Sequence, residues 1–172
     1  ATQSILDYAR LGREAPGDEP ASAELLVDAI LKEMQEDLAR HGIRVEKVSD
    51  PDAAPIGKAS HLYSILKNLM LNARDALVEK DGERVLRVVI AEEQAGWMIR
   101  VEDTGIGIPE AQRSRIFEPF FSTKPETGTG LGLGVVRKLV SIYGGTIEVE
   151  SEAGQGTRVQ ITLPRRSGPA KS

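Results

Sequence analysis

The chain has 172 residues, 40% hydrophobic and 28% charged, with a formal net charge of −4 and no cysteine, the profile of a globular protein with one full-sized core. Disulfides and thiolate metal sites are thereby excluded, and the mild acidity argues against nucleic acid as a partner. No apolar run approaches membrane-spanning length, the start lacks a signal-peptide pattern, and the chain opens on Ala1 with no methionine, so a piece of a longer protein is expected.

Ile5, Leu6, Ala9 and Leu11 keep rough helical spacing, and Gly12 to Pro20 then breaks it, which predicts a helix tail, a linker and a domain boundary near residue 20. From Ser22 the apolar positions Leu25, Leu26, Ala29, Ile30, Met34 and Leu38 predict one long amphipathic helix ending at His41-Gly42. Ile43 to Val48 alternates like a strand, and Pro51 to Pro55 reads as a turn or irregular edge. A second helix is expected from about Ser60 to Glu79, followed by strands at Val85–Ala91 and Trp97–Glu102. Residues 103 to 129 are rich in Gly, Pro, Ser and Thr, with a short helical stretch at Glu110–Ile116. Loops this long inside a compact domain are usually functional or mobile. A third helix starts near Gly130 and stops at Tyr143-Gly144-Gly145; strands Thr146–Ser151 and Thr157–Leu163 pair across Glu152–Gly156, and 165–172 reads as a disordered tail. Three main helices and a mostly antiparallel sheet make an α+β two-layer sandwich.

On the second helix, Leu62, Ile65, Leu66, Leu69, Ala73, Ala76 and Leu77 form the apolar stripe, and Asn68, Asn72 and Asp75 stack beside it. Two asparagines bordering solvent would be ordinary by themselves. Beside the glycine clusters downstream, their carbonyl oxygens suit a hard cation such as Mg²⁺. His61 shares that stripe and is given no role.

Asp103-Thr-Gly-Ile-Gly-Ile108 closes the strand at Trp97–Glu102. Its acid can accept from the exocyclic amine of a base, and its glycines let the main chain approach a flat ring. Asp-Thr-Gly alone would be good turn chemistry. Specificity comes from the second cluster, Gly128-Thr-Gly-Leu-Gly-Leu-Gly134, which opens a helix whose N–H groups and dipole favour phosphate. A Rossmann fingerprint fails here because polar Ser122–Thr127 stands where a strand is required, and a P-loop fails because Gly57-Lys58 is followed by Ala59. Between the clusters, Arg115-Ile-Phe-Glu-Pro-Phe-Phe-Ser-Thr-Lys124 holds all three phenylalanines of the chain. That concentration suits a lid or a docking patch, with Lys124 and Arg115 the nearest cations for a triphosphate.

Over residues 21–164 these motifs resemble the catalytic and ATP-binding domain of bacterial two-component sensor histidine kinases, within the superfamily shared with gyrase, chaperone and mismatch-repair ATPases. Asn68–Asn72-Ala73 resembles the N box, Asp103–Ile108 the first glycine box, Ile116–Phe121 the F box, and Gly128–Gly134 the second glycine box. The segment from Gly144 to Thr157 is similar to the closing hairpin of that family. The resemblance implies a Bergerat-type sandwich, a mixed, mostly antiparallel sheet on three helices with a mobile ATP lid over about 109 to 130. It implies ATP and Mg²⁺ as cofactors, with Asn68 on the metal, Asn72 on phosphate, Asp103 on adenine, and Thr157 supporting the adenine edge. Gly105, Gly107 and Ile108 would line the base, and Gly128, Thr129, Gly130, Leu131, Gly132 and Leu133 the phosphate side. Many relatives carry lysine where Asp75 stands, so Asp75 is placed at the phosphates with Arg74 or Lys124 left to supply the charge. Asn68 and Lys124 are the residues expected nearest the chemistry.

Residues 1–20 then resemble the end of a dimerisation helix and its linker, 21–164 is the catalytic unit, and neither His41 nor His61 suits a phosphoacceptor. The expected function is donation of the γ-phosphoryl group to a histidine in a dimerisation domain mostly outside this chain. The fragment alone is not expected to phosphorylate itself. The implied partners are that domain, a response-regulator receiver domain and a second copy of the parent protein, with no nucleic acid. A cytoplasmic location is implied, leaving open whether the parent is membrane-anchored or soluble. A protein-serine kinase of the anti-sigma type and an ATP-switched binding module without transfer remain alternatives.

Overall fold

The computed structural model describes residues 20–50, 57–94, 96–118 and 132–164. The expected helix tail over 1–13, the turn at Pro51 to Pro55, most of the lid and the tail at 165–172 lie outside the described residues. Element order is β1 (Pro20–Ala21), α1 (Ala23–Glu33), α2 (Gln35–Arg40), β2 (Arg44–Ser49), β3 (Gly57–Lys58), α3 (Ala59–Val78), β4 (Val85–Glu93), β5 (Gly96–Asp103), a 3-10 turn (Glu110–Arg115), α4 (Gly132–Ile142), β6 (Thr146–Glu152) and β7 (Gly156–Pro164). The main sheet runs β2-β4-β5-β7-β6. β2 lies parallel to β4 and every other neighbouring pair is antiparallel. This is the α+β sandwich expected from the sequence, and among the described residues no helix is long and apolar enough to cross a membrane.

Alternation decides which face of the sheet is covered. Leu86, Val88 and Ile90 of β4, Trp97, Ile99 and Val101 of β5, and Val159, Ile161 and Leu163 of β7 are buried in one cluster. The same cluster takes in Val27 and Ile30 of α1, Leu62, Ile65, Leu66, Leu69 and Leu77 of α3, and Val136 and Val140 of α4. The intervening residues make the other face, where Glu46, Arg87, Glu102, Arg158 and Glu150 stand in register across all five strands. Their signs alternate, and neighbours approach at 3.3 to 3.5 Å. Opposite charges placed side by side this way are favourable cross-strand pairs.

Two details differ from the sequence expectation. The long first helix is broken at Met34 (φ −93°, ψ 1°), giving α1 and α2. The break follows Glu33, whose carboxylate is fixed on α3 by the Tyr63 hydroxyl at 2.9 Å and Lys67 Nζ at 2.6 Å. Past the break, α2 turns so that Leu38 is buried, and it ends at Gly42 (φ 64°) with the Ile43 N–H on the Leu38 carbonyl at 2.9 Å, a Schellman ending. The β1–β3 ladder of two residue pairs was also not foreseen, since strands that short leave no period to read.

α3 is held against α2 by polar clamps. Arg74 donates through Nε and Nη2 to the two oxygens of Asp37, at 2.5 and 2.8 Å. Arg84 donates to the Val78 and Lys80 carbonyls at the end of α3 and to the His41 carbonyl at the end of α2. The hydrogen bond from Arg74 holds the Asp37 carboxyl below its ordinary range, against the opposing effect of burial. A depressed acid contributes stability above its unfolded pKa, near 4, and loses it as pH falls through the folded value. Asp37→Asn is therefore expected to lower stability by about 1–2 kcal/mol near neutral pH, with the difference shrinking towards about pH 3. Urea unfolding of both proteins at the two pH values checks this, and a pH-independent difference would refute it.

Candidate functional site

α3 carries the row Asn68, Asn72 and Asp75. Asn68 Nδ2 donates back to the Ser64 carbonyl at 2.7 Å, so its Oδ1 is left as an acceptor with no hydrogen bond among the described residues. Asn72 is exposed, and its amide lies 3.0 Å from where a Cβ on Gly132 would stand, so it faces the first residue of α4. Asp75 Oδ1 accepts from Arg74 Nη1 at 3.0 Å. Arg74, named above as a replacement cation, has Nε and Nη2 committed to Asp37 on α2. Lys124, the other cation named, lies outside the described residues.

Asp103 ends β5 on the covered face, one step beyond the Trp97, Ile99 and Val101 series. Strand pairing sets Leu86, Asp103, Thr157 and Ser151 in one row across β4, β5, β7 and β6. The Gly105 N–H donates to Asp103 Oδ1 at 2.8 Å. Burial pushes the Asp103 carboxyl up to about 6, opposed by main-chain hydrogen bonds from Gly105 and Thr157 and by the charge of Lys80. No arginine or lysine forms an ion pair with it among the described residues.

Gly105 brings this loop onto α3. A Cβ there would stand 2.6 Å from the Ala76 carbonyl, and the Ile106 N–H bonds that same carbonyl at 3.2 Å. Ala76 is one turn past Asn72, so a single contact ties the acid to the asparagine row. Gly107 has φ 73°, and a Cβ on it would strike the Glu152 carbonyl at 2.1 Å, a position open only to glycine. The loop is also bound to the β6–β7 hairpin: the Ile108 N–H donates to Ser151 Oγ at 2.8 Å, and the Gly154 N–H to the Ile106 carbonyl at 2.6 Å. Ser151 Oγ donates to the Gly156 carbonyl at 3.0 Å and lies 2.8 Å from Thr157 Oγ1. Lys80 Nζ donates to the Gly154 carbonyl at 3.0 Å.

On the other side, the helix expected at Glu110–Ile116 is a 3-10 turn, and Ile116 after it is buried. The Phe117 ring lies under the Arg137 guanidinium of α4 at 4.5 Å, a cation–π contact. Gly132 and Leu133 open α4, with Leu133 packed against the core. Arg115 sits beside Glu118 at 3.5 Å on the surface. Phe120, Phe121, Lys124, Gly128, Thr129, Gly130 and Leu131 lie outside the described residues.

The structure thus gathers Asn68, Asn72, Asp103, Gly105, Gly107, Ile108, Thr157 and the start of α4 around α3 and the ends of β5 and β7. Sequence reasoning missed Ser151 and Lys80. The signal for Ser151 was present: pairing across Glu152–Gly156 puts residue 151 opposite residue 157. His41 caps α2 with Nδ1 3.0 Å from the Asp37 carbonyl, and His61 Nδ1 bonds the Tyr143 hydroxyl at 2.8 Å.

Residues 57–167 match the family described as histidine kinase-, DNA gyrase B-, and HSP90-like ATPase. The sensor histidine kinase ZraS of Escherichia coli is 39% identical over 137 residues, 80% of this chain and 27% of ZraS. The two-component sensor PprA of Pseudomonas aeruginosa is 39% identical over 75% of this chain and 14% of its own length. The chain therefore spans about a quarter or less of these relatives. The catalytic domain of histidine kinase ThkA superposes with a TM-score of 0.73 at 22% identity, over 86% of this chain and 95% of that domain. Full-length ShkA in complex with AMPPNP superposes with a TM-score of 0.72 at 28% identity, over 96% of this chain and 36% of ShkA. By the match of its family model and by its sensor-kinase relatives, this chain belongs to the histidine kinase-, DNA gyrase B-, and HSP90-like ATPase family.

Proposed function

We propose that residues 21–164 bind ATP with Mg²⁺ and donate the γ-phosphoryl group to a histidine on a dimerisation domain whose last helix ends within residues 1–20. The observation that carries this reading is the part-buried Asp103 carboxylate, held by main-chain N–H groups, on a loop that contacts α3 one turn past Asn72, which in turn faces the start of α4. An acid with no ion-pair partner among the described residues is set to accept from an amine. A helix start beside a carboxamide suits the far, phosphate end of the same ligand. Asn68 Oδ1, turned away from its own helix by the Ser64 hydrogen bond, is the hard oxygen donor that would hold Mg²⁺. The metal would supply charge neutralisation for the triphosphate. Asn72, Gly132 and Leu133, with the residues of the second glycine cluster and Lys124, complete the phosphate side, and Asp75 borders it. Gly105, Gly107 and Ile108 shape the base end.

Transfer breaks the bond between the γ-phosphorus and its bridging oxygen to the β-phosphate and forms a phosphorus–nitrogen bond on the imidazole, with ADP leaving. The protein's part is to hold the ends in line and stabilise charge, as is usual for phosphoryl transfer. The partners in this reading are the histidine-bearing domain of the same protein, a receiver domain and a second copy of the parent, with the catalytic unit on the cytoplasmic side.

Asp103→Asn is expected to weaken ATP binding at least tenfold near neutral pH, the loss of a charge-assisted hydrogen bond. With the carboxyl at about 6, the wild-type advantage over Asp103→Asn shrinks as pH falls below that value. The ligand-free fold has the opposite sign. An acid raised on folding contributes stability that is full below its unfolded pKa, near 4, and is lost as pH rises through about 6. Calorimetry of both proteins across that interval reads both slopes, and equal affinities would end the adenine assignment. In a second experiment, the chain and labelled ATP·Mg²⁺ are mixed with a histidine-bearing dimerisation domain. The expected product is an acid-labile phosphate on that domain, lost in Asn68→Ala. An acid-stable phosphoserine points instead to a serine kinase, and nucleotide binding without transfer to a switched module.

A further inference from the structure

The row Asp103–Thr157–Ser151 is joined by hydroxyl groups whose protons can be traced from one residue to the next. Ser151 is 9% exposed, and its hydroxyl makes three contacts. It accepts from the Ile108 N–H at 2.8 Å and donates its one proton to the Gly156 carbonyl at 3.0 Å. The third contact, 2.8 Å to Thr157 Oγ1, can have either hydroxyl as donor, and with the serine proton on the Gly156 carbonyl the donor is the threonine. Thr157 Oγ1 then has lone pairs left and no proton to offer. Asp103, next in the row, is an acceptor when ionised and already receives the Gly105 N–H. A row built from a serine, a threonine and an aspartate, each able in principle to donate, therefore presents acceptors alone.

Resting on the assignment of Asp103 as the base-reading acid, we propose that Ser151 is a positioning residue. By taking the Thr157 proton it makes this wall accept hydrogen bonds only, and so selects a purine with an amino group at C6 over one with a carbonyl there. An amino group supplies two N–H donors to such a wall. A carbonyl oxygen in the same place meets lone pairs and finds no donor, and leaving a buried acceptor unpaired is the larger penalty. Without the serine hydroxyl, the Thr157 proton has no inward acceptor and can rotate towards the ligand, where it would serve the carbonyl.

The test compares ATP and ITP, which differ at C6, by calorimetry with Mg²⁺ on the 172-residue chain. Wild type is expected to prefer ATP. Ser151→Ala should reduce the ATP-to-ITP preference about three- to tenfold, the range of one neutral hydrogen bond. Thr157→Val should weaken ATP without improving ITP, because no proton is freed, and the double variant should match Thr157→Val alone. A local packing role for Ser151 would lower the affinity of both nucleotides together and leave the ratio where it was. Circular dichroism confirms folding of each variant. If Ser151→Ala is not folded, Ser151→Cys, whose sulfur is a weaker acceptor for the Thr157 proton, must give a smaller fall in the ratio. An unchanged ratio in a folded Ser151 variant, with wild type still preferring ATP and Asp103→Asn still defective, overturns this inference alone. A wild type that ignores ATP, or an Asp103→Asn variant that binds it normally, overturns the reading beneath it as well.

Discussion

A carboxylate placed on the covered face of a sheet, at the end of a series that is otherwise Trp97, Ile99 and Val101, is the constraint on which the site is built. Burial of an acid disfavours its charged form, and here it raises the carboxyl to about 6 despite the N–H groups pointed at it. Nothing in folding alone calls for an acid there; a leucine or valine would continue the core row. The surroundings are arranged to keep it ionisable without neutralising it. Main-chain donors come from Gly105 and Thr157, and Lys80 contributes its field while its ammonium bonds the Gly154 carbonyl. An acid left in that condition is ready for a donor from outside, which is how the proposed function uses it.

α3 joins the parts. Its apolar stripe covers the sheet, its Asn68–Asn72 row meets the start of α4, and its Ala76 carbonyl receives the loop that follows Asp103. Its remaining side is committed to α1 and α2 through Lys67 with Glu33 and Arg74 with Asp37. A helix pinned on three sides is held as one fixed piece of the site. After the 3-10 turn, Phe117 meets α4 through its ring under Arg137 and its carbonyl beside Gly134.

Much of this was legible in the residues because each large element has a period. The stripe from Leu62 to Leu77, the alternation of Ile147, Val149 and Ser151, and the glycines bracketing β5 announce helix, strand and loop directly. Long-range choices were not legible. The break at Met34 answers to Glu33 meeting Tyr63 and Lys67, residues some thirty positions away. The turning of Arg74 towards α2 depends on Asp37, and no local pattern reveals which acid a given arginine will find. Ser151 was overlooked for a different reason. A serine in a hairpin reads as polar surface until the register with Thr157 and the return of the Ile108 loop place it inside.

The two faces of β5 carry acids in succession, Glu102 in the alternating charge ladder and Asp103 in the pocket row. Which acid does which job is decided only by the phase of the pleat. Removing one residue upstream in that strand would turn Glu102 inward and send Val101 and Ile99 to water, although the composition of the strand would hardly change. Drift in this segment can exchange one outward side chain for another, but a change in their number would move Asp103 off the covered face, so the length of β5 is as binding a constraint as any residue in it.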